Sequence, residues 1–327
     1  MEARRDFLEG RRIASYQLER EIGQGDMSLV YRAEDLLLNR TVALKLIAPE
    51  LARDDSFRRR FTHEVREVAS IDHPHIVPIY DVGEAEGVLY VAMRYIPGPN
   101  LGTLVREAGP LSVQTALRIA AQVASALDVA HEHHLVHRNV QPGNILVDTG
   151  PDRGHPEHAY LTDFGSTRRT PALTGFTTAG EFAGTLDYTA PEQISGRPVD
   201  GRSDLYSLAC VVYETLTGGP PFERDEDLPL LWAHLYDQPP PLTGRRPEIA
   251  PATDEVLAKA LAKAPEDRYD SCLEFVAAMR RVAEQPDGAP SGPLAARPSP
   301  PAPMHPPSPA ESATPPGPPF DDDDDEW

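Results

Sequence analysis

The chain has 327 residues, 40% of them hydrophobic, and a formal net charge of -20. This length accommodates two lobes with separate buried cores, and the acidic balance argues against nucleic acid, whose phosphates demand a basic surface. No apolar run approaches the roughly 20 residues that span a bilayer, and the two cysteines lie far apart, as in proteins of a reducing compartment. We therefore expect a cytoplasmic protein without a membrane span.

A glycine-containing hairpin is the first structure that the sequence predicts, after a polar lead-in at residues 1–15. Apolar and polar residues alternate over 16–22, a turn with Gly23 and Gly25 follows, and a strand resumes at Leu29. Backbone amides at such glycines can approach a phosphate, because glycine has no side chain. A dinucleotide-binding fingerprint would need a helix after the glycines, whereas these residues favour a strand.

The next predicted strand, at 41–47, contains a single charge at Lys45. The chain has three lysines beside twenty-eight arginines, and Lys45 is the only lysine before residue 259. An edge-strand lysine that reaches water is one interpretation. The other is a compact ammonium that faces phosphates and needs a partner. A helix predicted over 54–71 places Glu64 on its apolar side, so we expect a Lys45–Glu64 ion pair.

The central part of the chain runs from a predicted helix at 111–134 into His-Arg-Asn-Val-Gln-Pro-Gly-Asn at 137–144. A predicted hairpin, with strands at 145–147 and 159–162, then leads to Asp-Phe-Gly at 163–165. The histidines around this loop match no metal-ligand spacing, so we predict no metal site from them.

These motifs together resemble the bacterial Ser/Thr protein kinases of the eukaryotic-like type, over about residues 16–282. The resemblance is carried by the turn glycines, the Val-Ala-Leu-Lys strand that ends at Lys45, and the loop at 137–144. It is also carried by Ala-Pro-Glu at 190–192 and by the predicted helix that contains Asp204. Because the loop at 137–144 matches the family's catalytic loop, we use that name for it.

The resemblance implies an α+β, two-lobed protein-kinase fold. A small, mostly β lobe with one key helix would occupy residues 16–97, and a large, mostly helical lobe would occupy residues 98–282. Residues 283–327 differ in composition, with fourteen prolines between positions 286 and 319 and an acidic run at the end. Such a segment buries too little apolar surface to fold, so we expect a disordered tail.

The resemblance also implies an ATP site with magnesium. Lys45, paired with Glu64, would hold the α- and β-phosphates, and Asn144 and Asp163 would bind Mg²⁺ through hard oxygen ligands. The nucleotide would further contact Ile22, Gly23, Gly25, Val30, Ala43, Met93, Tyr95 and Ile96, with Met93 as the gatekeeper.

Two scaffold contacts and a regulatory segment follow from the same resemblance. Asp204 would bond to the backbone of the catalytic loop, and Arg268 would pair with Glu192. The activation segment after Asp163 carries several threonines that a kinase could phosphorylate, and a Gly-Thr pair similar to the family's substrate-side threonine. These residues are Thr170, Thr174, Thr177 and Thr178, and the pair Gly184 and Thr185.

The catalytic loop departs from the family pattern at its two most reactive positions. Asn139 stands where the family has an aspartate, and Gln141 stands where it has a lysine that faces the transferred phosphoryl group. Loss of a general base typically costs roughly 100- to 10,000-fold in rate. Ser28, in place of a third loop glycine, is a milder change. The four positions that carry catalysis in the family are here Lys45, Glu64, Asn139 and Gln141. Lys45 and Glu64 keep the family's residue types, whereas the changes at Asn139 and Gln141 favour a pseudokinase that regulates or scaffolds a protein partner.

Other functions remain open from the sequence. A slow but active Ser/Thr kinase is favoured by Arg138, which can bind a phosphothreonine, and by a transition state that needs little base catalysis. A small-molecule phosphotransferase shares the loop chemistry but not the Ala-Pro-Glu segment. A nucleotide-gated binding module, acting through the lobe surface and the tail, describes what a pseudokinase would do. The sequence leaves the partner's identity and the oligomeric state open.

Overall fold

The computed structural model describes residues 9–25, 28–149, 156–164 and 186–284. Over these residues the chain has a β-rich small lobe and a helical large lobe, which confirms the two-lobed α+β fold. Several positions named above lie outside the described residues: Gly165, Thr170, Thr174, Thr177, Thr178, Gly184, Thr185 and the tail from residue 285 onward.

The small lobe is built on one sheet with the spatial order β1-β2-β3-β4-β6-β5. Its strands are β1 (Arg12–Ile13), β2 (Tyr16–Gly25), β3 (Ser28–Asp35), β4 (Arg40–Ile47), β5 (Ile79–Ala85) and β6 (Val88–Arg94). The β2–β3 hairpin and strand β4 confirm the sequence predictions. Lys45 lies in mid-sheet, opposite Val30 on β3 and Val91 on β6. Ile13, which we placed in the lead-in, pairs with Tyr16 and is buried.

Two helices, α1 (Pro49–Ala52) and α2 (Asp55–Ala69), belong to the small lobe. Helix α2 begins after Asp54, whose side chain accepts hydrogen bonds from two backbone N–H groups of the first turn. The buried side chains of α2 are Phe61, Val65 and Val68. They recur at helical spacing, so one face of α2 packs toward the sheet.

The large lobe is mostly helical. Its helices are α3 (Leu101–Ala108), α4 (Val113–Glu132), α5 (Pro191–Ile194), α6 (Gly201–Thr217), α7 (Asp227–Tyr236), α8 (Ala252–Ala260) and α9 (Cys272–Ala283). Helix α6 is almost entirely buried and packs against α4 and α9. The predicted hairpin is present as β7 (Ile145–Asp148) and β8 (His158–Leu161). None of the described helices is both long and apolar enough to cross a bilayer.

One backbone contact joins the two lobes, and a second attaches the connection after β6 to strand β7. In the first the Val77 N–H donates to the Leu161 carbonyl (3.0 Å), and in the second the Val147 N–H donates to the Pro99 carbonyl (3.0 Å). Gly98, beside the second contact, has a φ of 135°, and a Cβ there would overlap the Val147 carbonyl oxygen. Glycine is therefore required at this connection.

Candidate functional site

An apolar cluster joins the two lobes along the cleft. It contains Ala43, Val77, Met93, Ile96 and Tyr160, with Val30 and Leu146 packed against it. Four of the predicted nucleotide contacts are therefore close together, on β3, β4, β6 and the connection that follows β6. Ile22 is 36% exposed near the end of β2, and Tyr95 is half-buried. Sequence reasoning missed Leu146, although its place two residues after Asn144, on a short strand, was an available signal.

The turn glycines lie at the end of β2, where Gly23 is opposite Val30. A Cβ added at Gly23 would meet the Val30 side chain at 3.7 Å, an ordinary van der Waals distance. Gly23 is also absent from the described glycines with positive φ. The fold therefore does not itself require glycine at this position, and the bare backbone leaves room for a ligand.

Lys45 and Asp163 form an ion pair across the cleft, with the Lys45 Nζ 2.8 Å from the Asp163 Oδ1. The sequence predicts Glu64 as the partner, and here the structure differs: within the described residues, Lys45 forms its ion pair with Asp163 and not with Glu64. Lys45 is only 8% exposed, so this carboxylate compensates a nearly buried charge.

A cavity of about 50 Å³ lies next to the Lys45–Asp163 pair. It lies between α2 and the ion pair, and its lining includes Lys45, Asp163 and three apolar side chains of α2: Phe61, Val65 and Val68. Glu64 is half-buried beside that apolar face rather than on it. Helical periodicity gives the face on which a residue lies, but it does not give the distance from that face to a neighbouring strand.

The predicted magnesium ligands, Asn144 and Asp163, are close together. The Thr162 N–H, adjacent to Asp163, donates to the Asn144 carbonyl (3.0 Å). The Asn144 Nδ2 donates to the backbone carbonyl of Asn139 (2.8 Å), which leaves the Asn144 Oδ1 for a cation. Asp163 adopts a left-handed backbone conformation, with a φ of 67°. One amide oxygen and one carboxylate form a hard donor set, so these residues fit Mg²⁺.

Asp204, fully buried near the start of α6, holds the backbone of the catalytic loop. Its carboxylate accepts hydrogen bonds from the N–H groups of His137 (2.8 Å) and Arg138 (2.7 Å), which confirms the contact that the resemblance implies. The His131 ring donates to the same carboxylate (2.7 Å). Sequence reasoning missed this bond.

His137 links the catalytic loop to the strand before Asp163. Its Nε2–H donates to the Thr162 carbonyl (2.9 Å), and its ring lies edge-on to Phe164 with the centroids 4.5 Å apart. Burial lowers the pKa of His137, so the ring is neutral at physiological pH. The contact is therefore a structural link and carries no charge.

Asn139 and Gln141 are hydrogen-bonded to each other. The Gln141 Nε2 donates to the Asn139 Oδ1 at 3.2 Å, and both residues are half-buried. The Asn139 N–H also donates to the His137 Nδ1 (3.2 Å), so the backbone of this residue is fixed. Because an amide is not a useful base near pH 7, the loop presents no proton acceptor where the family has a carboxylate.

A buried ion pair anchors the Ala-Pro-Glu segment. Arg268 donates hydrogen bonds of 2.7 and 2.8 Å to Glu192, which confirms the second scaffold contact. Burial opposes the charge of Glu192, but bonds from Arg268 and Ser203 outweigh burial and lower the pKa of this carboxyl group. Gln193 was not predicted, and its side chain donates to the Arg138 carbonyl (2.9 Å). The anchor therefore extends to the catalytic loop.

Comparison with known proteins gives consistent matches. A family model described as the protein kinase domain matches residues 16–279. The chain is 42% identical over 278 residues to the serine/threonine-protein kinase PknE of Mycobacterium bovis, covering 85% of this chain and 48% of the relative. It is 41% identical over 275 residues to PknB of Mycolicibacterium smegmatis, covering 82% of this chain and 43% of the relative. The chain thus spans about half the length of these curated relatives.

Among solved structures, the crystal structure of the PknI kinase domain of Mycobacterium tuberculosis matches with a TM-score of 0.67 at 35% identity. The match covers 84% of this chain and 99% of that one. The described lobes therefore correspond to nearly the whole of that domain.

Proposed function

Because the chain belongs to the protein kinase family, among the bacterial Ser/Thr kinases of the eukaryotic-like type, we propose that it binds ATP with magnesium as a pseudokinase. In this role it transfers the terminal phosphoryl group slowly or not at all, and it regulates or scaffolds a protein partner in the cytoplasm. The observation that carries the proposal is the hydrogen bond between Asn139 and Gln141. Two neutral amides occupy the positions at which the family activates an acceptor hydroxyl and compensates the charge of the transferred group.

The residues of the cleft support the proposal that the chain binds ATP with magnesium. The apolar cluster of Ala43, Met93 and Ile96 would hold the adenine, and Lys45 would turn from Asp163 to the α- and β-phosphates. ATP supplies a phosphoryl group activated for transfer, and Mg²⁺ held by Asn144 and Asp163 would neutralise its charge. The turn glycines would let backbone N–H groups approach the phosphates.

The side chains where an acceptor hydroxyl would bind support the proposal that phosphoryl transfer is slow or absent. An acceptor hydroxyl must release its proton as its oxygen bonds to phosphorus, and Asn139 has no lone pair basic enough to take that proton. The Asn139 Oδ1 is moreover occupied by the hydrogen bond from Gln141. A hydroxyl that approached this oxygen would have to displace that bond or share its acceptor.

A slow but active Ser/Thr kinase is the second candidate, and the preserved scaffold favours it. Asp204 still holds the catalytic loop, and the Glu192–Arg268 pair still anchors the Ala-Pro-Glu segment. These contacts keep the geometry in which a largely dissociative transfer needs little base catalysis. The activation-segment threonines would then be substrates of the chain itself.

Incubation of the full chain with γ-labelled ATP and Mg²⁺ separates the two candidates. The natural chain is compared with the Asn139→Asp/Gln141→Lys double variant and with Lys45→Ala. We expect labelling of the double variant to exceed that of the natural chain by roughly 100- to 10,000-fold, the range for restoring a general base. Labelling of the natural chain that Lys45→Ala abolishes would instead identify a kinase and overturn the pseudokinase proposal.

A thermal-shift titration with ATP tests nucleotide binding directly. A binding module should melt at higher temperature as ATP is added, because a ligand that binds only the folded state stabilises it. The Lys45→Ala variant should show a smaller shift at each concentration. An unchanged melting temperature of the natural chain at millimolar ATP would contradict the nucleotide half of the proposal.

A further inference from the structure

Three side chains with different donor atoms lie together where α4 packs against α9. Asp128 and His131 are one turn apart on α4, and Cys272 is the first residue of α9. One donor atom of each side chain lies within 4.8 Å of the other two, so a carboxylate, an imidazole and a thiol converge. The spacing of the histidines gave no sign of this cluster, because Cys272 is distant along the chain.

The His131 ring is held so that one of its nitrogens remains an acceptor. Its Nε2 lies 2.7 Å from the fully buried Asp204 carboxylate, and since a carboxylate only accepts, Nε2 carries the proton. In the neutral ring Nδ1 then has a lone pair. Within the part of the chain that the structure describes, Nδ1 forms no hydrogen bond, and the Asp128 Oδ1 lies 3.9 Å from it. Two acceptors therefore face each other, and a cation between them would stabilise both.

Gly201, the first residue of α6, packs on the face of the His131 ring. A Cβ at Gly201 would lie 2.5 Å from Nδ1 and 2.8 Å from each of the two adjoining ring carbons, so the ring requires glycine here. These similar distances place the Cβ over the face of the ring, whereas the Nδ1 lone pair lies in the ring plane. Gly201 therefore fixes the ring and leaves the lone pair uncovered.

Asp128 is held in place by the first turn of α9. Its two carboxylate oxygens accept hydrogen bonds from the N–H groups of Cys272 (2.9 Å) and Leu273 (3.0 Å). Each oxygen keeps a second lone pair for another ligand. The side chains of Asp128 and His131 are 15% and 18% exposed, so an ion and a water molecule can reach them from solvent.

Zinc is the ion that suits this donor set. Zn²⁺ takes thiolate, imidazole and carboxylate ligands in a tetrahedral site, in which water can be the fourth ligand. A carboxylate that accepts from the other ring nitrogen, as Asp204 does, is the usual partner of a metal-bound histidine. We infer that Asp128, His131 and Cys272 bind Zn²⁺ and that Asp204 orients His131. The Cys272 thiol gives its proton to solvent as its sulfur bonds to the metal.

A zinc ion at this place would act on the catalytic loop through Asp204. The carboxylate that accepts from His131 also accepts from the N–H groups of His137 and Arg138. Zinc bound to Nδ1 fixes the His131 ring, and with it the carboxylate that holds the loop. The inference does not depend on the proposed function, because the three ligands are separate from the residues proposed to bind nucleotide.

A structural role without metal makes a different prediction. Asp128 would then only cap α9, and His131 would only hold Asp204. Cys272 would be a small buried side chain that alanine can replace, as Cys210 is on α6. Removing either cysteine should in that case leave zinc binding unchanged.

The experiment titrates the full chain with Zn²⁺ by isothermal titration calorimetry, after a chelator has removed metal and with the thiols kept reduced. We expect one tight site per chain, and a melting temperature that rises with Zn²⁺ because the ion binds only the folded state. Cys272→Ala should weaken the site by more than about 100-fold, since even a partner that only orients a ligand contributes about 10- to 100-fold. Asp128→Asn, which keeps a capping side chain, should weaken it by at least about tenfold.

Cys210→Ala is the matched control, because it removes the other fully buried thiol of the same lobe. It should keep the site and its affinity. Co²⁺ in place of Zn²⁺ reports sulfur ligation directly, because a thiolate bonded to Co²⁺ gives a charge-transfer absorption band. We expect this band with the natural chain and with Cys210→Ala, and its loss in Cys272→Ala. Melting curves without metal establish that each variant is folded.

Zinc affinity that Cys272→Ala leaves unchanged would place the bound ion elsewhere, as on the acidic run at 321–326, and would overturn the inference. Absence of the cobalt band from the natural chain would also overturn it, even if Cys272→Ala did not fold. Neither result bears on ATP binding, so the inference and the proposed function fail separately.

Discussion

The scaffold around the catalytic loop keeps the residues that the family predicts, whereas the reactive side chains on that loop do not. Asp204 and the Glu192–Arg268 pair are buried, charged and fully engaged, and they match the family expectation. Asn139 and Gln141 are half-buried and neutral, and they depart from it. A buried charge cannot lose its partner without a large loss of stability, whereas a half-exposed side chain can change at little cost. The fold can therefore persist after the chemistry of the loop has changed.

The largest expected effect comes from breaking the buried ion pair of the scaffold. Arg268→Ala leaves the Glu192 carboxylate buried without its cation, and breaking a buried pair in this way costs about 3–5 kcal/mol. We expect the free energy of unfolding to fall by that amount, measured by denaturant titration with circular dichroism. Asp270→Ala, which removes the exposed Arg202–Asp270 pair, should change it by less than about 1 kcal/mol. If the two variants lost equal amounts of unfolding free energy, the buried pair would not be the stronger part of the scaffold.

The next largest effect is expected at Asp204. In Asp204→Asn one amide N–H₂ must face a backbone N–H of the catalytic loop, so a buried donor loses its acceptor, at a cost of about 2–3 kcal/mol. Denaturant titration again measures the change. Asp200→Asn is the control, because this exposed residue caps the same helix and asparagine caps equally well. A loss at Asp204 that did not exceed the loss at Asp200 would mean that the loop does not depend on this carboxylate.

A pH dependence of stability should come from the buried framework and not from the loop amides. Burial lowers the pKa of His234 on α7 to about 3, against an ordinary value of 6.5, and the nearby Lys263 charge adds to the shift. The unfolded chain binds a proton that the folded chain excludes, so stability is lost as pH falls below about 6.5 and continues to fall toward pH 3. This group contributes a slope of about 1.4 kcal/mol per pH unit. His234→Gln should flatten the profile of unfolding free energy by that slope between pH 6 and pH 4, and an unchanged profile would contradict the assignment.

The smallest expected effect on stability lies in the catalytic loop itself. Asn139→Asp and Gln141→Lys, singly or together, should change the free energy of unfolding by less than about 0.5 kcal/mol each, as for most partly exposed positions outside a core. Denaturant titration of the three variants tests this. A loss above 2 kcal/mol would show that the amide pair is part of the scaffold, and the contrast between the two regions would disappear.

The sequence predicted the elements whose signals are local. Helix α2, the β2–β3 hairpin and the buried strand around Lys45 follow from local periodicity and composition, and the structure contains all three. The Asp204 and Glu192–Arg268 contacts followed from the family pattern, because they depend on residue types that stand at fixed places in it.

What the sequence did not predict depends on distances between elements. The partner of Lys45 is Asp163 rather than Glu64, because the separation of α2 from β4 is a property of packing and has no periodic signal. The bond between Gln141 and Asn139 depends on side-chain rotamers within a loop. The pairing of Ile13 with Tyr16 was missed because a two-residue strand is too short to show alternation.

The placement of the two cysteines lets a thiol reagent report how often the large lobe opens. Cys210 and Cys272 are both fully buried in the core of that lobe, and burial raises the pKa of both thiols. The small lobe has no cysteine in its sequence, so every thiol of the chain lies in the large lobe. A thiol-reactive dye can therefore modify the folded protein no faster than the large lobe opens. The rate at which the dye reacts measures how often that lobe opens, independently of any motion in the small lobe.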